Sequence, residues 1–183
     1  MALTVEDGTQ IAAAESYISA ADATTYHTAN GNSAWTGTDA VKEAALRRAC
    51  RYLDGEYRQR WKGQKVYPLT QVLEWPRVGV SVIDGPQQYY DVPPSFYDSA
   101  YSGFLAITTI PQRLKDAQCE LALLALAGAL APTVDGSVRR EKIDVLETEY
   151  APGVRPGKKS YPVVDQLLSD FLRPLGSSDA LRG

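Results

Sequence analysis

The segment from Leu121 to Ala131 contains only apolar and small residues, and it limits the possible folds more than any other feature. It continues a helical pattern that begins at Pro111, since proline is favoured at the first position of a helix. We predict a helix from Pro111 to about Leu130 in which every face is apolar after Glu120. A helix of this kind is buried on all sides, and in a chain this small a neighbouring subunit can supply one of those sides. Because a membrane span needs about 20 apolar residues, the run predicts a buried helix and not a span.

Three other segments carry helical signals. Ser19 can cap a short helix over residues 20–29, which a following Asn-Gly pair would end. Thr38 can cap a longer helix over residues 39–61, because apolar residues recur there at spacings of three and four. A last short helix is predicted over residues 162–173. The sequence therefore predicts a helical bundle.

The remaining segments do not have a helical period. Residues 1–18 are predicted to form an extended arm, and residues 77–109 a long loop rich in aromatic side chains. Residues 138–150 alternate in a pattern that slips once, which predicts a β-hairpin. The predicted fold class is all-α: a small helical bundle with a β-hairpin, a long aromatic loop and a C-terminal helix and tail. We divide it into a bundle domain, 1–150, and a linker, docking helix and tail, 151–183.

The composition and motifs give few candidates for catalytic, metal-binding or cofactor-binding residues. Hydrophobic residues make up 44% of the chain and the net charge is -3, so a globular core is expected and a dedicated DNA-binding domain is disfavoured. No phosphate loop, zinc motif or calcium loop is present, and we expect no catalytic residues, metal or cofactor. His27 is expected to be partly exposed, whereas Cys50 and Cys119 are expected to be buried. The N-terminal residues do not resemble a signal peptide, so synthesis in the cytoplasm is expected.

Residues 47–65 form the one strongly basic segment, with seven basic and two acidic side chains. Tyr52, Tyr57 and Trp61 are interleaved with these charges, as in proteins that bind single-stranded nucleic acid. The alternative interpretation places Tyr57 and Trp61 in the core and uses the arginines for ion pairs. We favour that alternative. It predicts inter-subunit charge contacts for three of the arginines: Arg47, Arg51 and Arg58.

Two sets of side chains are candidates for partner binding. Aromatic residues in the long loop resemble interface anchors, although they could also pack on their own bundle: Tyr89, Tyr90, Phe96 and Tyr97. The last helix has an apolar stripe that must be buried, either on its own bundle or in a groove between partner subunits: Val164, Leu167, Leu168, Phe171 and Leu172.

Several stretches in a fixed order resemble a known family. They are MALTVEDGT, SYISAADATTYHTANGN, LRRACRYLDGEY with RWKG, LEWPRVGV, IPQRLKDAQCELALLAL, VRREKIDVLETEYAPG and YPVVDQLLSDFL. This order is similar to that of the head-to-tail connector proteins of tailed bacteriophages, also called adaptor or head-completion proteins. One branch of these carries the label of a DnaT-like single-stranded DNA-binding protein. The match covers about residues 1–80 and 109–175.

The resemblance implies a structural, non-enzymatic protein of the virion neck. It implies a dodecameric ring that binds the portal protein and the tail or next neck protein. Such a ring extends the DNA channel, and genome DNA passes through it without tight binding. No membrane contact is implied. The alternative is a primosome-like protein that binds single-stranded DNA, and a salt series of DNA-binding measurements separates the two.

Overall fold

The structure, a computed structural model, describes residues 2–81, 103–131, 140–143, 146–149 and 161–174. Its elements, in chain order, are α1 Ala20–Ala29, α2 Asp39–Tyr57, β1 Gln64–Lys65, β2 Arg77–Val78, α3 Gln112–Ala127, β3 Arg140–Ile143, β4 Leu146–Glu149 and α4 Pro162–Leu168, followed by a 3-10 turn, Ser169–Phe171. The fold is therefore mostly helical with a small antiparallel hairpin, β3–β4, as predicted. The division into two domains stays a prediction.

The first two helices begin where the sequence predicts. The Ser19 hydroxyl accepts a hydrogen bond from the Asp22 N–H at 3.0 Å, which caps α1. Thr38 precedes α2 but makes no side-chain cap bond. The predicted end of α2 at Trp61 was wrong, because the helix ends at Tyr57. Trp61 instead forms an antiparallel bridge with Leu172, so the chain leaves the helical path to meet the C-terminal segment.

Helix α3 lies at the centre of the bundle, packed against both α2 and α4. Its buried residues include Leu121, Ala122 and Ala125. Leu124, however, is 44% exposed, so the single chain does not bury every face of the helix. The helix ends at Ala127, since the next N–H, of Gly128, closes the last turn on the Leu124 carbonyl at 3.1 Å. No described helix is long and apolar enough to cross a membrane.

The N-terminal arm is not simply extended. The Glu6 carboxylate is buried and accepts hydrogen bonds from the N–H groups of Gly8, Gln10 and Ile11 at 2.8, 2.8 and 3.0 Å. These bonds fold residues 6–11 into a compact turn. Tyr17 follows with no exposed surface, so the arm closes over the core. The prediction of an extended arm is corrected accordingly, because the sequence pattern did not reveal the carboxylate that satisfies these backbone groups.

Gln118, on α3, connects three parts of the fold. It has no exposed surface, and its amide oxygen accepts from the Tyr17 N–H at 2.9 Å. Its amide nitrogen donates to the Ser16 hydroxyl at 2.7 Å and to the Leu46 carbonyl at 3.0 Å. A buried amide that is fully hydrogen-bonded fixes the register of the elements it joins. Gln118 therefore holds the N-terminal arm and α2 against α3.

Candidate nucleic-acid interface

A basic pocket of about 280 Å³ lies at the end of α2. We use this name for the cavity lined by Arg58, Gln59, Lys65, Pro68, Glu74 and Arg77. Three cations surround one carboxylate there, so the local charge is positive. Local structure brings them together, because β1 pairs with β2 and places Lys65 beside Arg77.

Glu74 and Arg77 form the inner part of the basic pocket. Arg77 Nη1 lies 3.0 Å from Glu74 Oε2, and the same nitrogen donates to the Glu74 carbonyl at 3.1 Å. The other Arg77 nitrogens donate to the carbonyl oxygens of Lys62, at 2.8 Å, and Gly63, at 3.0 Å. Burial lowers the pKa of Arg77 and the Glu74 carboxylate opposes that change. Since these contacts occupy the guanidinium, Arg77 serves to shape the pocket.

Arg58 and Lys65 are the cations that a ligand can reach. Lys65 Nζ lies 3.2 Å from Glu74 Oε1, and Arg58 Nε lies 3.6 Å from the same oxygen. The Arg58 side chain is 71% exposed. An ion pair with this exposure contributes little to stability. Little stability is therefore lost when the Arg58 side chain leaves the Glu74 carboxylate and binds an anionic ligand.

The loop of residues 66–76 forms the rim of the basic pocket, and Gln71 holds it in shape. The Gln71 amide nitrogen donates to the carbonyl oxygens of Leu73, at 3.0 Å, and Pro76, at 2.9 Å. Its amide oxygen accepts from the Tyr67 N–H at 3.3 Å. At the tip, Tyr67 is 54% exposed and Leu69 is 99% exposed. Tyr67 is thus an exposed aromatic residue next in the chain to Pro68, which lines the basic pocket.

The structure divides the basic segment 47–65 into several environments. Arg47 pairs with Glu15 at 2.8 Å and Glu43 at 3.5 Å. Arg51 is exposed and its Nε reaches back to the Arg47 carbonyl at 3.4 Å. Together with the Arg58–Glu74 contact, these pairs lie within one chain. Arg47 and Arg58 thus have acidic partners within their own chain. The inter-subunit contacts predicted for Arg47, Arg51 and Arg58 stay predictions.

Two of the three interleaved aromatics, Tyr57 and Trp61, are buried and cannot stack on bases. Tyr57 and Trp61 are 3% and 1% exposed, which is the core position that the alternative interpretation predicted. Tyr52 packs edge-on against Tyr161, with ring centroids 5.5 Å apart. Among the aromatics in the described part of the chain, Tyr67 and Phe104 are exposed, at 54% and 41%, and both lie outside the predicted stripe.

The apolar stripe of the last helix lies in the chain's own core. Val164, Leu168 and Leu172 are 1%, 0% and 5% exposed. Leu167 and Phe171 are partly buried against the same cluster. The stripe is thus buried on the chain's own bundle, which is the first of the two alternatives given for it. Four candidate residues of the aromatic loop lie outside the described residues: Tyr89, Tyr90, Phe96 and Tyr97.

His27 and the two cysteines are core residues. The expectation of a partly exposed His27 was wrong, because its ring packs against Trp35 with centroids 4.4 Å apart and has no exposed surface. Burial lowers the pKa of His27. Cys50 and Cys119 are free and buried, as predicted, and burial raises the pKa of both thiols. Among the described residues, no group of three or more His, Cys, Asp or Glu side chains could hold a metal ion.

Four residues of the site region were not predicted from the sequence: Tyr67, Gln71, Glu74 and Arg77. A signal for the last two was present, because a glutamate and an arginine flank Trp75-Pro76 in the stretch LEWPR.

One comparison with known proteins gives a match. A family model described as "Putative DnaT-like ssDNA binding protein" matches residues 1–183, the whole chain. No curated protein and no solved structure matches.

The family match corrects the main functional prediction. Its description refers to single-stranded DNA and not to a neck connector, so the predicted ring between portal and tail was wrong. The predicted self, portal and tail partners, and the passage of DNA without tight binding, are corrected for the same reason. The predicted alternative, a protein that binds single-stranded DNA, agrees with the match. The predicted location stays a prediction.

Proposed function

Since this chain belongs to the family of DnaT-like single-stranded DNA-binding proteins, whose model spans its whole length, we propose that it binds single-stranded DNA at the basic pocket. The observation that carries the proposal is the arrangement of Arg58, Lys65 and Arg77 around one carboxylate. The exposed Tyr67 precedes Pro68, which lines the same pocket. Proteins that bind single strands combine a positive groove for the backbone with an aromatic side chain for the bases. The proposal is of a binding protein and not of an enzyme.

Each residue has a separate role in this proposal. Arg58, with its exposed side chain, contacts a phosphate directly, and Lys65 adds a second positive charge nearby. Arg77 keeps the cavity open by fixing the turn at Gly63 and the carboxylate of Glu74. Tyr67 offers one ring face to a base at the rim.

The overall charge of -3 does not oppose this proposal. Screening in physiological salt limits the reach of exposed charges to about 8 Å. A phosphate seated between Arg58 and Lys65 therefore experiences mainly the local cations. Its affinity is expected to be moderate, because only a few phosphates can be contacted at one pocket of this size.

The test is a binding titration with a fluorescently labelled dodecamer of deoxythymidine, repeated from low to high salt. Affinity should fall with salt, and each phosphate contact contributes about 0.7 to the slope of log affinity against log salt concentration. Arg58→Ala should weaken binding and reduce that slope by about 0.7. Tyr67→Ala should weaken binding by roughly fivefold or more through lost stacking, without changing the slope.

Arg48→Ala is the matched control, because it removes the same charge from an exposed position on α2 outside the basic pocket. It should leave affinity and slope nearly unchanged. Equal losses in Arg58→Ala and Arg48→Ala would show that the pocket is not the binding site. Absence of binding at low salt would contradict the proposed function itself.

A further inference from the structure

Two exposed arginines, Arg51 and Arg58, lie on one face of the helical segment that includes α2. Arg58 directly follows α2 and keeps helical backbone angles, with φ of -47° and ψ of -46°. A separation of seven residues is about two helical turns, so the two arginines point to the same side and lie about 10 Å apart along the axis.

Each of the two arginines lines a cavity. Arg58 lines the basic pocket, and Arg51 lines a second cavity of about 490 Å³. The two cavities adjoin in the chain, since Leu73 lines the second and Glu74 lines the first. The exposed face between Arg51 and Arg58 therefore runs from one concave surface to the next.

Arg51 has no carboxylate within ion-pair distance among the described residues, and its Nε reaches only the Arg47 carbonyl, at 3.4 Å. The two carboxylates that line the same cavity are held by other groups. Glu15 pairs with Arg47 at 2.8 Å, and Asp54 accepts from the Tyr17 hydroxyl at 2.6 Å. The Arg51 guanidinium can therefore bind an anion without first losing an ion pair.

Gly55 lies between the two arginines, four residues after Arg51 and three before Arg58. Residues at these spacings are neighbours on a helix surface. An added Cβ at Gly55 would meet nothing within 4 Å, so packing in the described part of the chain does not require glycine there. Glycine is unfavourable inside a helix, but it allows a ligand to approach the backbone closely. The surface between the two arginines is therefore not obstructed by a side chain.

A single strand of DNA has a phosphate spacing that fits this surface. Stacked nucleotides rise about 3.4 Å each, so about three of them span the axial distance from Arg58 to Arg51. We propose that the strand bound at the basic pocket continues along α2, passes over Gly55 and places a second phosphate at Arg51. The inference rests on the proposed function, because Arg58 must hold the first phosphate.

Arg51→Ala tests the second phosphate contact, with the labelled deoxythymidine dodecamer in a salt series. The loss of one contact should reduce the slope of log affinity against log salt concentration by about 0.7, or roughly fivefold in affinity at about 0.1 M salt. Arg51→Ala combined with Arg58→Ala should reduce the slope by about 1.4. Arg48→Ala is the matched control, because Arg48 is exposed one turn further along α2 and lines neither cavity. It should preserve affinity and slope.

Gly55→Gln tests whether the strand passes over α2. Glutamine favours a helix more than glycine does, so the melting temperature should rise. Its long uncharged side chain should keep the strand from Arg51, so DNA affinity should fall by roughly fivefold at about 0.1 M salt, as in Arg51→Ala. Ala44→Gln is the control, because it adds the same side chain at an exposed position nearer the start of α2. It should leave DNA affinity unchanged.

The outcomes separate the inference from the proposed function. If Arg58→Ala weakens binding and Arg51→Ala changes neither affinity nor slope, the inference is overturned and the function stands. Equal losses in Arg51→Ala and Arg48→Ala would also overturn it, since they would indicate attraction to any positive charge on α2. Unchanged affinity in Gly55→Gln would overturn the path over the helix. Absence of binding by the wild type at low salt would contradict the function and the inference together.

Discussion

Arg77 and Glu74 form an ion pair whose side chains are only 7% and 9% exposed, at the base of the basic pocket. The pair joins the turn at Gly63 to the segment that precedes β2, because Arg77 also donates to the carbonyl oxygens of Lys62 and Gly63. Glu74 in turn accepts Lys65 and meets Arg58. The same two residues therefore organise both the local fold and the charge of the candidate site.

Breaking this pair should be costly. Arg77→Ala removes the most buried cation beside Glu74, which keeps Lys65 and Arg58, and takes a donor from the carbonyl groups of Lys62, Gly63 and Glu74. The free energy of unfolding should therefore fall by about 3 kcal/mol. Arg113→Ala is the control, because it breaks an ion pair with Asp170 in which Arg113 is 56% exposed. That change should cost at most about 1 kcal/mol. Urea denaturation measures both, and similar losses would contradict the structural role of Arg77.

Gly63 should resist substitution. It has a φ of +64°, and an added Cβ would lie 2.2 Å from the carbonyl oxygen of Val78. Gly63→Ala should therefore destabilise the fold by about 1–3 kcal/mol and weaken DNA binding, since Arg77 loses its acceptor geometry.

The control for Gly63 is Gly55, within α2, where an added Cβ meets nothing within 4 Å. Gly55→Ala should raise stability by about 0.5–1 kcal/mol, because alanine favours the helix. Denaturation curves of the two variants should therefore shift in opposite directions. A shift in the same direction would show that the turn at Gly63 tolerates a side chain.

The last helix should be essential for folding. Leu168→Ala removes a side chain with no exposed surface and should cost about 2–5 kcal/mol. Val163→Ala changes a neighbouring residue that is 58% exposed and should cost less than about 0.5 kcal/mol. Thermal or urea unfolding checks both values. A Leu168→Ala protein of normal stability would indicate that the helix serves a partner and not its own core.

Asp54 should make stability depend on pH. Burial raises its pKa from 3.8 to about 6, so the folded state holds the proton more tightly than the unfolded state does. This difference in pKa therefore stabilises the folded state in full below about pH 4, and the stabilisation is lost as the pH rises through about 6.

The Asp54→Asn variant lacks this titration. The stability of the wild type relative to Asp54→Asn should accordingly decrease between pH 4 and pH 7. Urea unfolding of both proteins at several pH values measures the difference. A difference that does not change with pH would show that Asp54 has the same pKa in both states.

Local patterns predicted most of the helices. Ser19 and the following residues specified α1 to the residue, because a capping hydroxyl and a following Asn-Gly pair act within a few positions of the chain. The β3–β4 hairpin followed from alternation with one slip in phase. The end of α2 could not be predicted in the same way, because the Trp61–Leu172 bridge joins residues that are far apart in sequence.

The sequence by itself determined which segments are helical, which cysteines are buried and that residues 47–65 carry an excess of positive charge. Only the tertiary structure decided which of those charged side chains a ligand can reach. It pairs Arg47 with Glu15, leaves Arg58 exposed, and brings Glu74 and Arg77 from a later segment to complete the pocket. The physical reason is that helix formation depends on neighbouring residues, whereas the partner and burial of a charge depend on how distant segments pack.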